Sequence, residues 1–270
     1  MAVHLENTET LDITIYVLWC KEERRSFIEQ QLKSYNLPCR VVYFKASTPD
    51  DSVEYIIPDD PVIDKLQCCF RSHINALKDF IINNVEGHIL ILEDDICLAR
   101  NTLFENLATT LKRYKATPQI DYVSIGYLPI TLRGDPIHTK LHMLTNDGTL
   151  YYDFSKADFT VWGSQAQLFS YKTAKRIVTL LHRRTGLEVK ASVEEYLKTN
   201  RTYQNKAKYM MIDDLLPLLF SQGIVFPPLA IEQNTPSTIH DSTRLLEKRI
   251  NDWKHSEKPG VFQLTDYYSW

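Results

Sequence analysis

Glu93, Asp94 and Asp95 stand consecutively at the end of the apolar run His88-Ile89-Leu90-Ile91-Leu92, so one strand delivers three carboxylates side by side. Two unit charges about 4 Å apart repel by roughly 4 kcal/mol at an effective dielectric near 20, so three together call for full solvation or a bound cation. Hard cations such as Mg²⁺ and Mn²⁺ take carboxylate oxygens and keep positions open for phosphate, which makes the cluster a natural seat for a metal-bound nucleotide. In an extended segment Glu93 and Asp95 share one side while Asp94 points away. Asp95 is read as the leading direct metal ligand and Glu93 as its partner, near the ribose or the metal's waters. Asp94 is grouped with the nucleotide-binding residues. The competing reading, a helix cap or a solvated loop, is disfavoured by the deeply apolar strand that precedes the acids.

Positioning such a cluster takes a sheet. Ile13 to Trp19 is β-rich, Lys21 to Tyr35 carries Phe27, Ile28 and Leu32 at helical spacing, and Val41-Val42-Tyr43-Phe44 reads as a second strand. Leu66, Cys69, Phe70, His73, Ile74, Leu77, Phe80 and Ile81 repeat at three and four, giving a helix that ends before Gly87 and feeds the His88 strand. Strand, helix, strand, helix, strand is the pattern of a parallel sheet with crossover helices, and ligands of such sheets bind beyond the carboxyl ends of the strands. Leu103 to Tyr114 reads as helix and Tyr122 to Ile125 as strand; Leu128 to Phe159 reads as loops or a hairpin over the active face. A strand at Thr160 to Phe169, helices at Lys172 to His182, Val193 to Thr199 and Asp213 to Phe220, and a short strand Ile224-Val225-Phe226 follow. Residues 1–127 form a nucleotide- and metal-binding half, residues 128–270 an acceptor-binding half with a C-terminal tail, and the two share one core.

Composition narrows the partners. The 270 residues are 44% hydrophobic, enough for a full core, and the net charge of -3 gives no drive toward nucleic acid. Cys20, Cys39, Cys68, Cys69 and Cys97 fit neither a disulfide framework nor a zinc site, which suits a reducing compartment. No apolar run reaches the roughly 18 residues of a membrane span, and Met1 to Thr10 lacks a leader pattern, so a cytoplasmic protein is expected.

Cys69-Phe70-Arg71-Ser72-His73 followed by Ile89 to Asp95 resembles the Cys-x-x-Ser-His helix and Leu-Glu-Asp-Asp strand of glycosyltransferase family 25. That family includes lipopolysaccharide galactosyltransferases and collagen hydroxylysine galactosyltransferases. Further matches keep its order: Arg24-Arg25, Asp121 to Gly126, Gln165 to Ala174, Ile212-Asp213-Asp214, and Pro227-Pro228-Leu229 with Gln233 and Ser237. The chain departs from the usual pattern at Leu18-Trp19-Cys20 and at Gly163-Ser164-Gln165-Ala166.

The resemblance implies an α/β, GT-A-like nucleotide-sugar-binding fold with a mostly parallel central sheet flanked by helices. It also implies a UDP-sugar donor, most often UDP-galactose, a Mn²⁺ or Mg²⁺ ion on the acidic motif, and inversion at the anomeric carbon. Such a reaction needs positive charge for the leaving diphosphate, for which Arg24 and Arg25 are candidates; a solvated pair beside Glu22 and Glu23 is the alternative. It also needs a carboxylate base for the acceptor hydroxyl, for which Asp213 or Asp214 is placed, with the N-cap of the following helix as the other use for one of them. His73 is either a buried, hydrogen-bonded histidine or a substrate contact. Gln233 and Ser237 follow the last short strand and close over the nucleotide. His240 is a further metal-ligand candidate, against an ordinary surface histidine. Leu246, Ile250 and Trp253, with nearby lysines and arginines, suit either packing against the domain or peripheral contact with an anionic membrane.

The expected acceptor is a glycan, a lipid-linked oligosaccharide or a hydroxylysine-type protein side chain. Two other functions remain open on the residues alone: a catalytically silent sugar-binding scaffold and a metal-dependent nucleotidyl or phosphoryl transferase.

Overall fold

The computed structural model describes residues 11–35, 37–48, 61–100, 103–129, 136, 149–151, 161, 163–182, 212–233, 243–257 and 263–267. In chain order the elements are β1 (Ile13–Trp19), α1 (Glu22–Ser34), β2 (Arg40–Lys45), α2 (Pro61–Asn83), β3 (His88–Glu93) and β4 (Ile96–Leu98). They continue as α3 (Leu103–Ala116), β5 (Tyr122–Gly126), β6 (Thr149–Tyr151), β7 (Ala166–Ser170), α4 (Tyr171–His182) and α5 (Ile212–Leu219). The last are β8 (Gln222–Val225), β9 (Ala230–Glu232), α6 (Thr243–Ser256) and a 3₁₀ turn at Leu264–Asp266.

One sheet runs β2-β1-β3-β7-β5-β8-β6, with β4 and β9 paired to one side and β9 also joined to β5. The sheet is mixed. β1 pairs in parallel with β2 and β3, and β5 with β8 and β9, whereas β7 lies antiparallel between β3 and β5. The interleaving joins the two halves of the sequence, since β7 comes from the second half and both its neighbours from the first. Of the expected strand at Thr160 to Phe169, Ala166 to Phe169 fall in β7, Ala166–Ser170, and Thr160 and Trp162 lie outside the described residues. Within the expected loop region β6 pairs antiparallel with β8, and the expected helix at Val193 to Thr199 lies outside the described residues.

The apolar strands are continuous because both faces of the sheet are covered. On one face Tyr16 and Leu18 of β1 and Ile89 and Ile91 of β3 pack with Ile74, Leu77 and Phe80 of α2, Ile177 of α4 and Leu215 and Leu216 of α5. On the other, Ile15, Val17, Leu90 and Leu92 meet Ile28 and Leu32 of α1 and Leu107 and Leu111 of α3. Adjacent residues therefore serve opposite layers, the two-residue period of an extended chain. A third cluster packs Trp253 of α6 with Tyr127, Phe226, Ile231, Leu264 and Tyr267. Trp253 is thus spent on packing, while Lys248 and Lys254 are exposed.

A buried side chain fixes the segment after the acids. Gln31 of α1 donates from Nε2 to the Ile96 carbonyl at 3.1 Å and accepts the Leu98 N–H on Oε1 at 2.8 Å, satisfying β4 backbone groups that have no strand partner among the described residues. β4 in turn pairs antiparallel with β9, Ile96 opposite Glu232. Gly126 ends β5 where three strands converge: a Cβ there would lie 2.8 Å from the Cβ atoms of Ala166 and Ala230 and 3.0 Å from the Ala230 carbonyl. Gly126→Ala is expected to cost about 1–3 kcal/mol by overpacking, read as a lower urea midpoint at unchanged slope.

Candidate functional site

The parallel pairing of β1 with β3, Leu18 opposite Glu93, brings the carboxyl ends of both strands together. β3 stops at Glu93, and Asp94 and Asp95 form a turn into β4, so strict alternation of side chains ends there. The three acids take different surroundings. None stands free in solvent: their side chains are 23%, 7% and 16% exposed in order, and a strand, not a helix, follows them.

Glu93 turns toward α2 and the segment entering β7. Its Oε1 accepts from Ser164 Oγ at 2.6 Å, from the His73 ring nitrogen Nε2 at 3.0 Å and from the Cys69 thiol at 3.7 Å. Cys69 and His73 are four apart on α2 and so face the same way. His73 is buried, and among the described residues its Nδ1 has no hydrogen-bond partner; since the Glu93 carboxylate accepts, Nε2 is the proton-bearing nitrogen toward it. Burial works against the charge on Glu93, but the hydrogen bonds from His73, Ser164 and Cys69 outweigh it, so its carboxyl lies below the usual range. The Cys69 thiol is pushed well up by burial and by the charges of Glu93 and Asp213.

Asp94 turns the other way. It accepts the Cys20 backbone N–H at 2.8 Å and faces Arg24 Nη1 at 3.7 Å. Asp95 lies between the two groups, with Arg24 Nη1 3.4 Å from its Oδ2. Burial and the charges of Glu93 and Glu232 push its carboxyl up to about 8, against the pull of Arg24. The negative charge of this corner is therefore unequally shared, with Glu93 held below and Asp95 pushed above the usual carboxylate range.

Arg24 and Arg25 part company. Arg24 reaches the acids, whereas the Arg25 guanidinium lies over the Trp19 ring at 5.0 Å and the Tyr43 ring at 5.2 Å and pairs with Glu22 at 3.2 Å. Arg25 is thus directed to Trp19 of β1 and Tyr43 of β2 rather than to the carboxylates after β3. Helix α5 begins at Ile212, which puts Asp213 and Asp214 in its first turn and not at its N-cap, with Pro217 inside the helix and not in its first turn. Asp213 is half-buried and near enough to raise both Cys69 and Tyr122. The side chain of Asp214, and Ser237 and His240 altogether, lie outside the described residues. Gln233 joins the site through its backbone, its N–H donating to the Asp95 carbonyl at 2.7 Å.

Glu232 was not among the expected site residues. It ends β9 as Glu93 ends β3, an acid after a short apolar run, and that repeated pattern in Leu229-Ala230-Ile231-Glu232 was the available signal. Burial raises its carboxyl, opposed by Arg249 of α6, whose Nη1 donates to both its oxygens at 2.6 and 2.7 Å. Ser164 was the other omission; it follows Gly163, whose φ of +113° suits a residue without a side chain.

Among the described residues no helix is long and apolar enough to cross a membrane. No family model matches the chain, and no curated protein matches it. Among solved structures, a glycosyltransferase involved in the glycosylation of the major capsid of PBCV-1 is similar at 10% identity and a TM-score of 0.37, over 87% of this chain and 98% of that one.

Proposed function

We propose that this protein is a metal-dependent glycosyltransferase with a GT-A-like fold, moving a hexose from a UDP-sugar to a hydroxyl with inversion at the anomeric carbon. The observation that carries the reading is the convergence of Glu93, Asp95 and Glu232 at the carboxyl end of the sheet, close enough for the first and last to raise Asp95. Galactose as the sugar, and a glycan, lipid-linked oligosaccharide or hydroxylysine-type acceptor, rest on the resemblance of the acidic strand and the Cys69 to His73 helix to family 25.

The oxygen donors fit Mn²⁺ or Mg²⁺, with Asp95 and Glu93 as the residues that would hold it. A bound ion of this kind supplies Lewis-acid neutralisation of charge on the diphosphate. The chain's own groups do the rest. Arg24, already at the acids, adds positive charge beside the departing phosphate oxygens. Asp94, held by the Cys20 N–H, fixes the turn that presents Asp95. Asp213 or Asp214 takes the acceptor proton as the hydroxyl oxygen bonds to the anomeric carbon, and the electron pair of the broken bond leaves with UDP.

UDP release from a panel of UDP-hexoses, with and without Mn²⁺, tests this. Mn²⁺-dependent release, fastest from UDP-galactose, is the expected result. Pyrophosphate release from a nucleoside triphosphate would instead identify a nucleotidyl transferase, and absence of nucleotide-sugar binding would leave a silent scaffold.

A further inference from the structure

We propose that Cys69, His73 and Glu93 form a binding site for one borderline-soft divalent cation of the Zn²⁺ class, on the α2 side of Glu93 and distinct from the hard-ion seat at Asp95. The three donor atoms, Sγ, Nε2 and a carboxylate oxygen, lie within 4.8 Å of one another. Cys69 Sγ is 3.7 Å and His73 Nε2 3.0 Å from Glu93 Oε1. A tetrahedral zinc centre, with bonds of about 2.3 Å to sulfur and about 2.0 Å to nitrogen and oxygen, has ligand-to-ligand edges of about 3.3–3.5 Å. Two of the three edges bracket that range and the third lies within 4.8 Å, so side-chain adjustment closes the site around an ion.

Local sequence builds this geometry. The four-residue spacing of Cys69 and His73 stacks both on one face of α2, and β3 carries Glu93 to the same level. His73 is 1% exposed, so its ring is held in place by packing, while Glu93 is 23% exposed and leaves a route of entry from solvent. Ser164 Oγ, 2.6 Å from Glu93 Oε1, stands where a fourth ligand or a bound water completes the shell.

Donor chemistry sets the selectivity. A thiolate and an imidazole favour Zn²⁺ over Mg²⁺ or Mn²⁺, which prefer all-oxygen surroundings. Ligation takes the sulfur as thiolate and Nε2 as a lone pair, so the thiol proton leaves to solvent and the ring proton moves to Nδ1. Glu93 is common to both sites.

Co²⁺ serves as the spectroscopic probe in the full-length protein. One Co²⁺ is expected to bind with a near-ultraviolet thiolate-to-cobalt charge-transfer band, displaced by Zn²⁺ but not by excess Mg²⁺. Cys20 is exposed and provides the control: Cys20→Ser keeps the band, and Cys69→Ser abolishes it. His73→Gln is expected to weaken Co²⁺ binding by at least about tenfold, which keeps the test open if Cys69→Ser does not fold. A wild-type protein with no charge-transfer band, a band that survives Cys69→Ser, or unchanged affinity in His73→Gln would overturn the assignment. The readout involves no sugar transfer, so it stands or falls independently of the proposed activity.

Discussion

Asp95→Asn is expected to abolish Mn²⁺-dependent UDP release while making the metal-free protein more stable. The loss of turnover should be on the order of a thousandfold, the equivalent of several kcal/mol of leaving-group stabilisation. The gain in stability has a separate origin. In the folded protein burial, Glu93 and Glu232 raise the Asp95 carboxyl from 3.8 to about 8. The folded state therefore binds more protons than the unfolded state between those values, and stability falls as pH rises through that window. Asparagine has no charge to place in the corner, so the fall from Asp95 disappears. Thermal melts of wild type and variant at pH 5 and pH 8 read this directly: the variant's advantage should be larger at pH 8. An equal advantage at both pH values would mean that the carboxylates do not crowd one another.

The second large effect concerns the clamp between α6 and β9. Arg249 and Glu232 are mostly buried, 16% and 9% exposed, and Arg249 Nη1 bridges both carboxylate oxygens. Arg249→Met leaves a buried carboxylate without its cation, and such losses cost about 3–5 kcal/mol. For a chain of this size that corresponds to a melting temperature lower by roughly 6–20 °C. Adding Glu232→Gln to the same background removes the stranded charge and should return more than half of the loss. If Arg249→Met costs under about 1 kcal/mol, solvent screens the pair and α6 is held chiefly by Trp253.

Much of this fold can be read along the chain because the central strands are buried on both faces. β1 shows itself as an apolar run broken only by Thr14 and β3 by the apolar stretch Ile89 to Leu92, and α2 as a repeat of three and four over Cys69, His73, Leu77 and Phe80. Strand direction is different: nothing in Ala166–Ser170 distinguishes a parallel strand from the antiparallel one that β7 is, because direction is set by the path of the preceding connection. β4 and β9 are three residues each, too short for a period to emerge, and they exist through pairing with each other and through Gln31.

The site divides along similar lines. Arg24 and Arg25 look equivalent as neighbours, yet adjacent helical residues point about 100° apart, which sends one to the acids and the other to Trp19 and Tyr43. Glu93 and Asp95 were expected on one side of an extended strand. The strand ends at Glu93, and it is a turn that leaves Asp95 within electrical reach of both Glu93 and Glu232. Glu232 and Arg249 meet from segments seventeen residues apart, one a short strand and the other a helix, so their pairing depends on tertiary packing.

The central claim is that carboxylates at the end of β3 hold a hard divalent ion that in turn engages a nucleoside diphosphate. Mn²⁺ binding followed by electron paramagnetic resonance, with and without UDP, measures it most directly in wild type and Asp95→Asn. One Mn²⁺ per chain, bound more tightly when UDP is present and lost in Asp95→Asn, is the result expected. Equal Mn²⁺ binding by the two proteins, or binding indifferent to UDP, would contradict it.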